Sequence, residues 1–212
     1  MDALNHLTKV DRKLGRLIAQ IGPLKRRKRE FTEPYEALIS AVAHQQLHGK
    51  AAMTIMGRFR AMADGNIPAP EALIALPDQA LRACGFSGNK TRALQDIAAH
   101  AARGVIPTAA QAKRLSDAEL IKRLTTIRGV GQWTVEMLLI FTLRQPDIFP
   151  VDDFGVREGY KVLHGLDEQP KPKPFAIIGE KYAPYRSTAA LYLWQAADRA
   201  KEAKTQRSAK AK

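Results

Sequence analysis

Apolar residues recur at helical spacing along almost the whole chain, while β-branched residues alternating with polar ones are scarce. Leu14, Leu17, Ile18 and Ile21 form one stripe, and Leu38, Ile39, Val42 and Ala43 form another. The same spacing predicts helices over 50–63, 90–103, 116–124, 132–143, 153–163 and 186–201. Pro and Gly punctuate them at 65–70, 85–88, 104–107, 129–131, 146–150 and 169–174. Ser116 followed by Glu119 makes a capping-box pair, which sets a helix start at that point. The expected fold class is all-α, with about ten short helices.

At 212 residues, 45% of them hydrophobic, such a chain can bury the core of one domain or of two small lobes. Cys84 is its single cysteine, which excludes an intramolecular disulfide and any zinc or iron–sulfur site built on several thiolates. A reducing, intracellular setting is therefore expected. No stretch reaches the roughly 18 apolar residues of a membrane span, and the N-terminus lacks the apolar core of an export signal. The expectation is a protein that uses no membrane and is not secreted, cytoplasmic (at the nucleoid) in a bacterium or nuclear in a eukaryote.

The formal net charge is +13. Lys25 to Arg29 is an unbroken basic run, and the segment 199–212 carries Arg199, Lys201, Lys204, Arg207, Lys210 and Lys212 against Glu202. That composition predicts a disordered basic tail after a helical unit spanning 1–198. The unit stays basic with the tail set aside, which favours a polyanionic partner.

Leu124-Thr125-Thr126-Ile127-Arg128-Gly129-Val130-Gly131-Gln132-Trp133-Thr134-Val135 is the most informative stretch. One helix ends near Ile127, a Gly-Val-Gly turn follows, and a second helix begins near Gln132, giving a hairpin over 120–143. Glycines at 129 and 131 permit positive φ and let the backbone approach a ligand with no Cβ in the way. The N–H groups of the turn and of the helix start then suit a phosphate. This is the pattern of a helix-hairpin-helix, which holds the DNA backbone without reading bases; a Gly C-cap in an ordinary αα-turn gives a similar string.

After Pro146 closes the second hairpin helix comes Phe149-Pro150-Val151-Asp152-Asp153-Phe154-Gly155-Val156-Arg157. One helix and a loop separate the aspartates from the hairpin. Acidic groups beside a surface that holds phosphates oppose binding, so they call for a chemical reason. An N-cap is the other reason to place Asp before a helix, and two adjacent aspartates predict a division of labour, one capping and one reacting.

The combination of hairpin, spacing and Pro-Val-Asp-Asp resembles the helix-hairpin-helix, Gly/Pro, Asp superfamily of DNA base-excision glycosylases, and within it the 3-methyladenine DNA glycosylase II branch. The resemblance covers roughly residues 30–198. It is carried also by Ala43-His44-Gln45-Gln46-Leu47-His48-Gly49-Lys50-Ala51-Ala52 and by Tyr182-Ala183-Pro184-Tyr185-Arg186-Ser187 running into Leu191-Tyr192-Leu193-Trp194. It implies a two-lobed fold with the active-site cleft between the lobes, and duplex DNA containing alkylated bases as partner. No strand-like prelude precedes the helical unit, so the chain resembles the compact forms without an N-terminal β-rich domain. A monomer is expected.

By the same resemblance Asp153 is the catalytic carboxylate, with Asp152 as its substitute. Trp133 and Trp194 line the base pocket together with Met137 and Phe154, which stand where some members carry other aromatic residues. Gln45, Gln46, Leu47 and His48 form the turn that enters the duplex, with Gln46 and Leu47 as the plugs. Gly129, Val130, Gly131 and Thr134 hold the DNA backbone. Arg128, Arg157, Arg186 and Lys50, near helix ends, are further candidates for phosphate contact. In bifunctional members a lysine nucleophile stands two residues after the second hairpin glycine; here that residue is Trp133, which implies simple hydrolysis to an abasic site without strand cleavage. No metal site and no cofactor are expected, apart from a monovalent cation that the carbonyls of Ile127 to Val130 could hold. A non-catalytic DNA-binding or damage-sensing protein is the competing class.

Overall fold

The computed structural model describes residues 2–25, 28–45 and 49–210, and among these it contains helices and no strand. Two helices open the chain, α1 (Ala3–Val10) and α2 (Arg12–Ile21). Eight follow: α3 (Pro34–His44), α4 (Gly49–Ala61), α5 (Pro70–Ala75), α6 (Asp78–Cys84), α7 (Gly88–Ala102), α8 (Ala109–Ala112), α9 (Asp117–Leu124) and α10 (Gln132–Met137). The last of these runs on as a π-helix over Leu138–Leu143. Three more close the chain: α11 (Phe154–His164), α12 (Pro172–Glu180) and α13 (Arg186–Lys210).

The expected long helices are present, and the capping box forms as the sequence dictates, with Glu119 N–H donating to Ser116 Oγ and Ser116 N–H to Glu119 Oε2. The sequence reading missed short helices. α5 and α12 each have proline in the first turn, Pro70 and Pro172. Proline there loses nothing, because that N–H has no intrahelical acceptor, and its fixed φ suits the helix. Read as a breaker, it hides the helix it starts. The basic segment 199–210 is also helical rather than disordered, as the continuation of α13. Alanine, lysine, glutamine and arginine are strong helix formers, and extending a helix already nucleated costs little. Ala211 and Lys212 lie outside the described residues.

The chain divides into two compact units, one of Met1–Arg27 with Gln145–Lys212 and one of Lys28–Arg144. In the first, Leu7, Leu14, Leu17, Ile18, Val156, Phe175, Tyr182, Tyr192 and Leu193 form a continuous core. Its polar centre is Asp11, only 5% exposed, which caps α2 by accepting from the N–H groups of Lys13 and Leu14 at 3.1 Å each. The same carboxylate accepts from Tyr182 OH at 2.7 Å, Lys181 Nζ at 3.0 Å and His164 Nε2 at 3.1 Å. Burial alone would raise its pKa, but the hydrogen bonds from Tyr182, Leu14 and Lys181 outweigh it and hold the group at about 2. One aspartate thereby ties α2 to the end of α11 and to the segment after α12.

Helix α11 packs on α13 at a notch made by glycine. A Cβ on Gly159 would lie 1.8 Å from the Leu193 carbonyl oxygen, so the two backbones touch where no other residue fits. In the second unit, Leu38, Ile39, Val42, Phe59, Leu73, Leu81, Leu94, Ile97, Leu120, Leu124, Val135 and Leu139 are buried. α7 packs against both α3 and α5.

Candidate functional site

In the second unit the hairpin is built as the sequence predicts: α9 ends at Leu124 and α10 starts at Gln132. Gly129 has φ +78°, and a Cβ there would lie 2.9 Å from the Ala93 methyl, so glycine is required twice over. Gly131 is different. Its φ of −89° suits any residue, and a Cβ placed on it meets nothing within 4 Å. Among the described residues nothing requires glycine at 131, and its backbone is open on that side.

Two hairpin amides are turned inward. Val130 N–H bonds to Ile127 O at 3.1 Å, and Arg128 N–H to Asp96 Oδ2 at 2.7 Å. The side chains of Val130 and Thr134 are buried. Val130 therefore serves the turn itself, and Thr134 offers an outside ligand its backbone only. Gln45 Nε2 donates to Gly129 O at 3.2 Å, joining the turn after α3 to the hairpin. Gln46, Leu47 and His48, expected to enter the duplex, lie outside the described residues.

Beyond the turn, Trp133 is 45% exposed and Phe141, on the π-helical segment, 51% exposed, with Met137 half-buried between them in sequence. π-helical turns are frequent at functional sites. Glu136 is buried in the same helix and accepts from Gln132 Nε2 at 2.9 Å.

In the first unit the two aspartates separate. Asp152 is exposed and Asp153 is buried, 9% exposed. Of the two, Asp153, expected to be the reacting group, is the N-cap of α11, its Oδ1 accepting from Val156 N–H at 2.7 Å. The same oxygen accepts from Trp194 Nε1 at 2.8 Å. Two donors from two helices fix the carboxylate in orientation. Gly155 makes this arrangement sterically feasible, since a Cβ there would lie 2.7 Å from Trp194 Cδ1 and 3.0 Å from Nε1. Phe154, the first residue of α11, leaves its ring 69% exposed.

The structure thus brings Asp153, Trp194 and Phe154 together in one unit, and Gln45, the hairpin, Trp133 and Met137 in the other. Arg186, expected as a phosphate contact, donates to Asp147 through Nε at 2.8 Å and Nη2 at 2.9 Å. The profile of the HhH-GPD superfamily of base excision DNA repair proteins matches residues 39–184, a span that contains both the hairpin and Asp153. The chain belongs to that superfamily.

Among its relatives, the DNA-3-methyladenine glycosylase 1 of Schizosaccharomyces pombe is 46% identical over 90% of this chain and 84% of its own length. The solved structure of the 3-methyladenine DNA glycosylase of the same yeast, in complex with abasic DNA, superposes with a TM-score of 0.81 at 44% identity, over 92% of this chain and 96% of that one. The DNA-3-methyladenine glycosidase of Bacillus halodurans gives a TM-score of 0.82 at 32% identity, over 93% and 89%.

Within this HhH-GPD frame, sequence reasoning missed Gly155 and Gly159. Their spacing of four residues on one helix is a legible signal of close helix approach. Asp96 was missed as well, because its partner, the Arg128 N–H, is a backbone group that leaves no mark in the sequence.

Proposed function

We propose that this chain is a monofunctional alkylbase DNA glycosylase of base excision repair, which flips 3-methyladenine or 7-methylguanine out of duplex DNA and hydrolyses its N-glycosidic bond. The observation that carries the reading is the buried Asp153 carboxylate held by Val156 N–H and Trp194 Nε1. An alkylated purine of this kind is cationic and therefore already a good leaving group. When the bond from C1′ to the base nitrogen breaks, its electron pair leaves with the base and cancels the base's charge. The sugar is left cationic, water adds its oxygen to C1′, and the water's proton passes to solvent. A fixed carboxylate stabilises that sugar cation or orients the water.

The exposed indole of Trp133 supports recognition of a cationic base, worth about 0.5–2 kcal/mol per ring. In the unit that holds Asp153, Phe154 supplies an exposed apolar face, and Trp194 gives that site a ring as well as a donor. The open backbone at Gly131 and the first turn of α10 support a phosphate grip that does not depend on sequence. Trp133 in place of a lysine supports hydrolysis without strand cleavage.

A monovalent cation would be held by the hairpin carbonyls from Ile127 to Val130, where neutral oxygens suit such an ion. The Ile127 and Gly129 carbonyls each accept one hydrogen bond already, and each keeps a second lone pair.

The test is release of free base from methylated duplex by the wild-type chain and by Asp153→Asn, with nicks counted before and after alkali. Asparagine caps a helix about as well as aspartate, so the substitution removes the charge and keeps the fold. Release should fall roughly 10²–10³-fold, with nicks in the wild-type reaction only after alkali. Equal binding with no release by either protein would instead make the chain a DNA-binding module.

A further inference from the structure

Lys90, Ala93 and Asp96 stand three residues apart on α7 and so form one stripe of that helix. Each meets a segment that the proposed function sets against DNA. Lys90 Nζ donates to Ala43 O at 2.8 Å and to Gln45 O at 2.6 Å, the carbonyl end of α3 and its C-cap, where the helix dipole is negative. The Ala93 methyl abuts the hairpin backbone at Gly129. Asp96 Oδ2 accepts from Arg128 N–H at 2.7 Å. Gln45 Nε2 on Gly129 O closes the loop of contacts. Two ionised side chains are thus directed at the protein's own backbone, one at each of two turns, from a single helix.

We propose that Lys90 and Asp96 are positioning residues that fix the register between the Gln45 turn and the Gly129–Gly131 hairpin, so that the two segments hold a DNA duplex as one rigid grip. This rests on the glycosylase reading, which is what gives both turns a duplex to hold. Burial lowers the pKa of the Lys90 ammonium, a cost that a mere surface lysine would not carry. Register between two turns matters only when both engage the substrate together. A duplex requires that, and a short single strand does not.

The full chain and its Lys90→Met and Asp96→Ala variants are compared for binding to a duplex carrying a stable abasic-site analogue and to the corresponding single strand, with melting temperatures in parallel. Each variant should lose about tenfold in duplex affinity, the scale of one hydrogen bond's worth of lost alignment, with single-strand affinity unchanged. Lys90→Met combined with Gln45→Ala should lose no more than the larger single loss, because both act through one strap. Lys90→Arg, which keeps a cation with several donors, should recover most of the duplex affinity. Wild-type duplex affinity in Asp96→Ala, or losses on duplex and single strand in equal proportion, would overturn the proposal. If wild-type protein neither binds the duplex nor releases methylated bases from it, the glycosylase reading fails instead. If Lys90→Met does not fold, Asp96→Ala decides alone, since it leaves α3 and Lys90 untouched.

Discussion

Removing the indole N–H from Asp153 should slow base release without unfolding the protein. Trp194→Phe keeps a ring at the position, so stacking and packing persist, and it deletes only the donor that lies 2.8 Å from Asp153 Oδ1. A hydrogen bond to an ionised acceptor contributes about 1.5–3 kcal/mol. At 1.36 kcal/mol for each factor of ten, the loss corresponds to roughly 10- to 150-fold in rate if the bond serves the transition state. Gly155→Ala reaches the same bond from the other side. Its new Cβ would lie 2.7 Å from Trp194 Cδ1, so the indole must withdraw by about 0.7 Å to ordinary contact, which stretches the 2.8 Å bond to the limit of a hydrogen bond. Yet alanine is the better helix former, by about 0.8–1 kcal/mol. The two variants should share a rate defect while their melting temperatures differ. The assay is single-turnover release of 7-methylguanine from methylated duplex, with thermal melts beside it. Wild-type rate in Trp194→Phe would refute the reasoning, as would a rate defect in both that merely tracks loss of folded protein.

Two further outcomes are expected. The Asp11 carboxylate, held at about 2 against 3.8 for a free side chain, contributes about 2 kcal/mol of stability. A lowered carboxylate pKa places that contribution above about pH 4 and removes it as pH falls through 2. Melts of wild type and Asp11→Asn should therefore differ most near neutrality and converge on acidification, and a gap independent of pH would contradict the assignment. Gly131→Ala should melt like wild type, since its Cβ meets nothing, and should weaken duplex binding by about tenfold; unchanged binding would remove the hairpin's phosphate role.

What could be read in advance follows from where the information lies. A helix such as α7 or α9 announces itself through local spacing and caps, and the hairpin through two glycines, so both were legible. Asp11 was not, because its partners His164, Lys181 and Tyr182 come from the far end of the chain. Nor was the role of Asp153 as both cap and candidate reacting group. The sequence offers two adjacent aspartates, and only the backbone path decides which one faces Val156 N–H. Gln45, expected at the DNA by resemblance alone, has a backbone partner in Gly129 that no side-chain pattern encodes.

The capping role of Asp153 bears on how its proposed chemical role is tested. A capping aspartate replaced by alanine costs about 1 kcal/mol of stability, so loss of activity in that variant mixes a fold effect with a chemical one. Asparagine separates them, because it keeps the acceptor and drops the charge. The arrangement also ties the site to the core of its unit. The glycine notch at Gly159 sets the approach of α11 to α13, that approach presents Trp194, and Trp194 orients the carboxylate. Helix packing and the orientation of the carboxylate are therefore linked through one indole, and a substitution at Gly159 should lower the rate of base release from methylated duplex through Trp194.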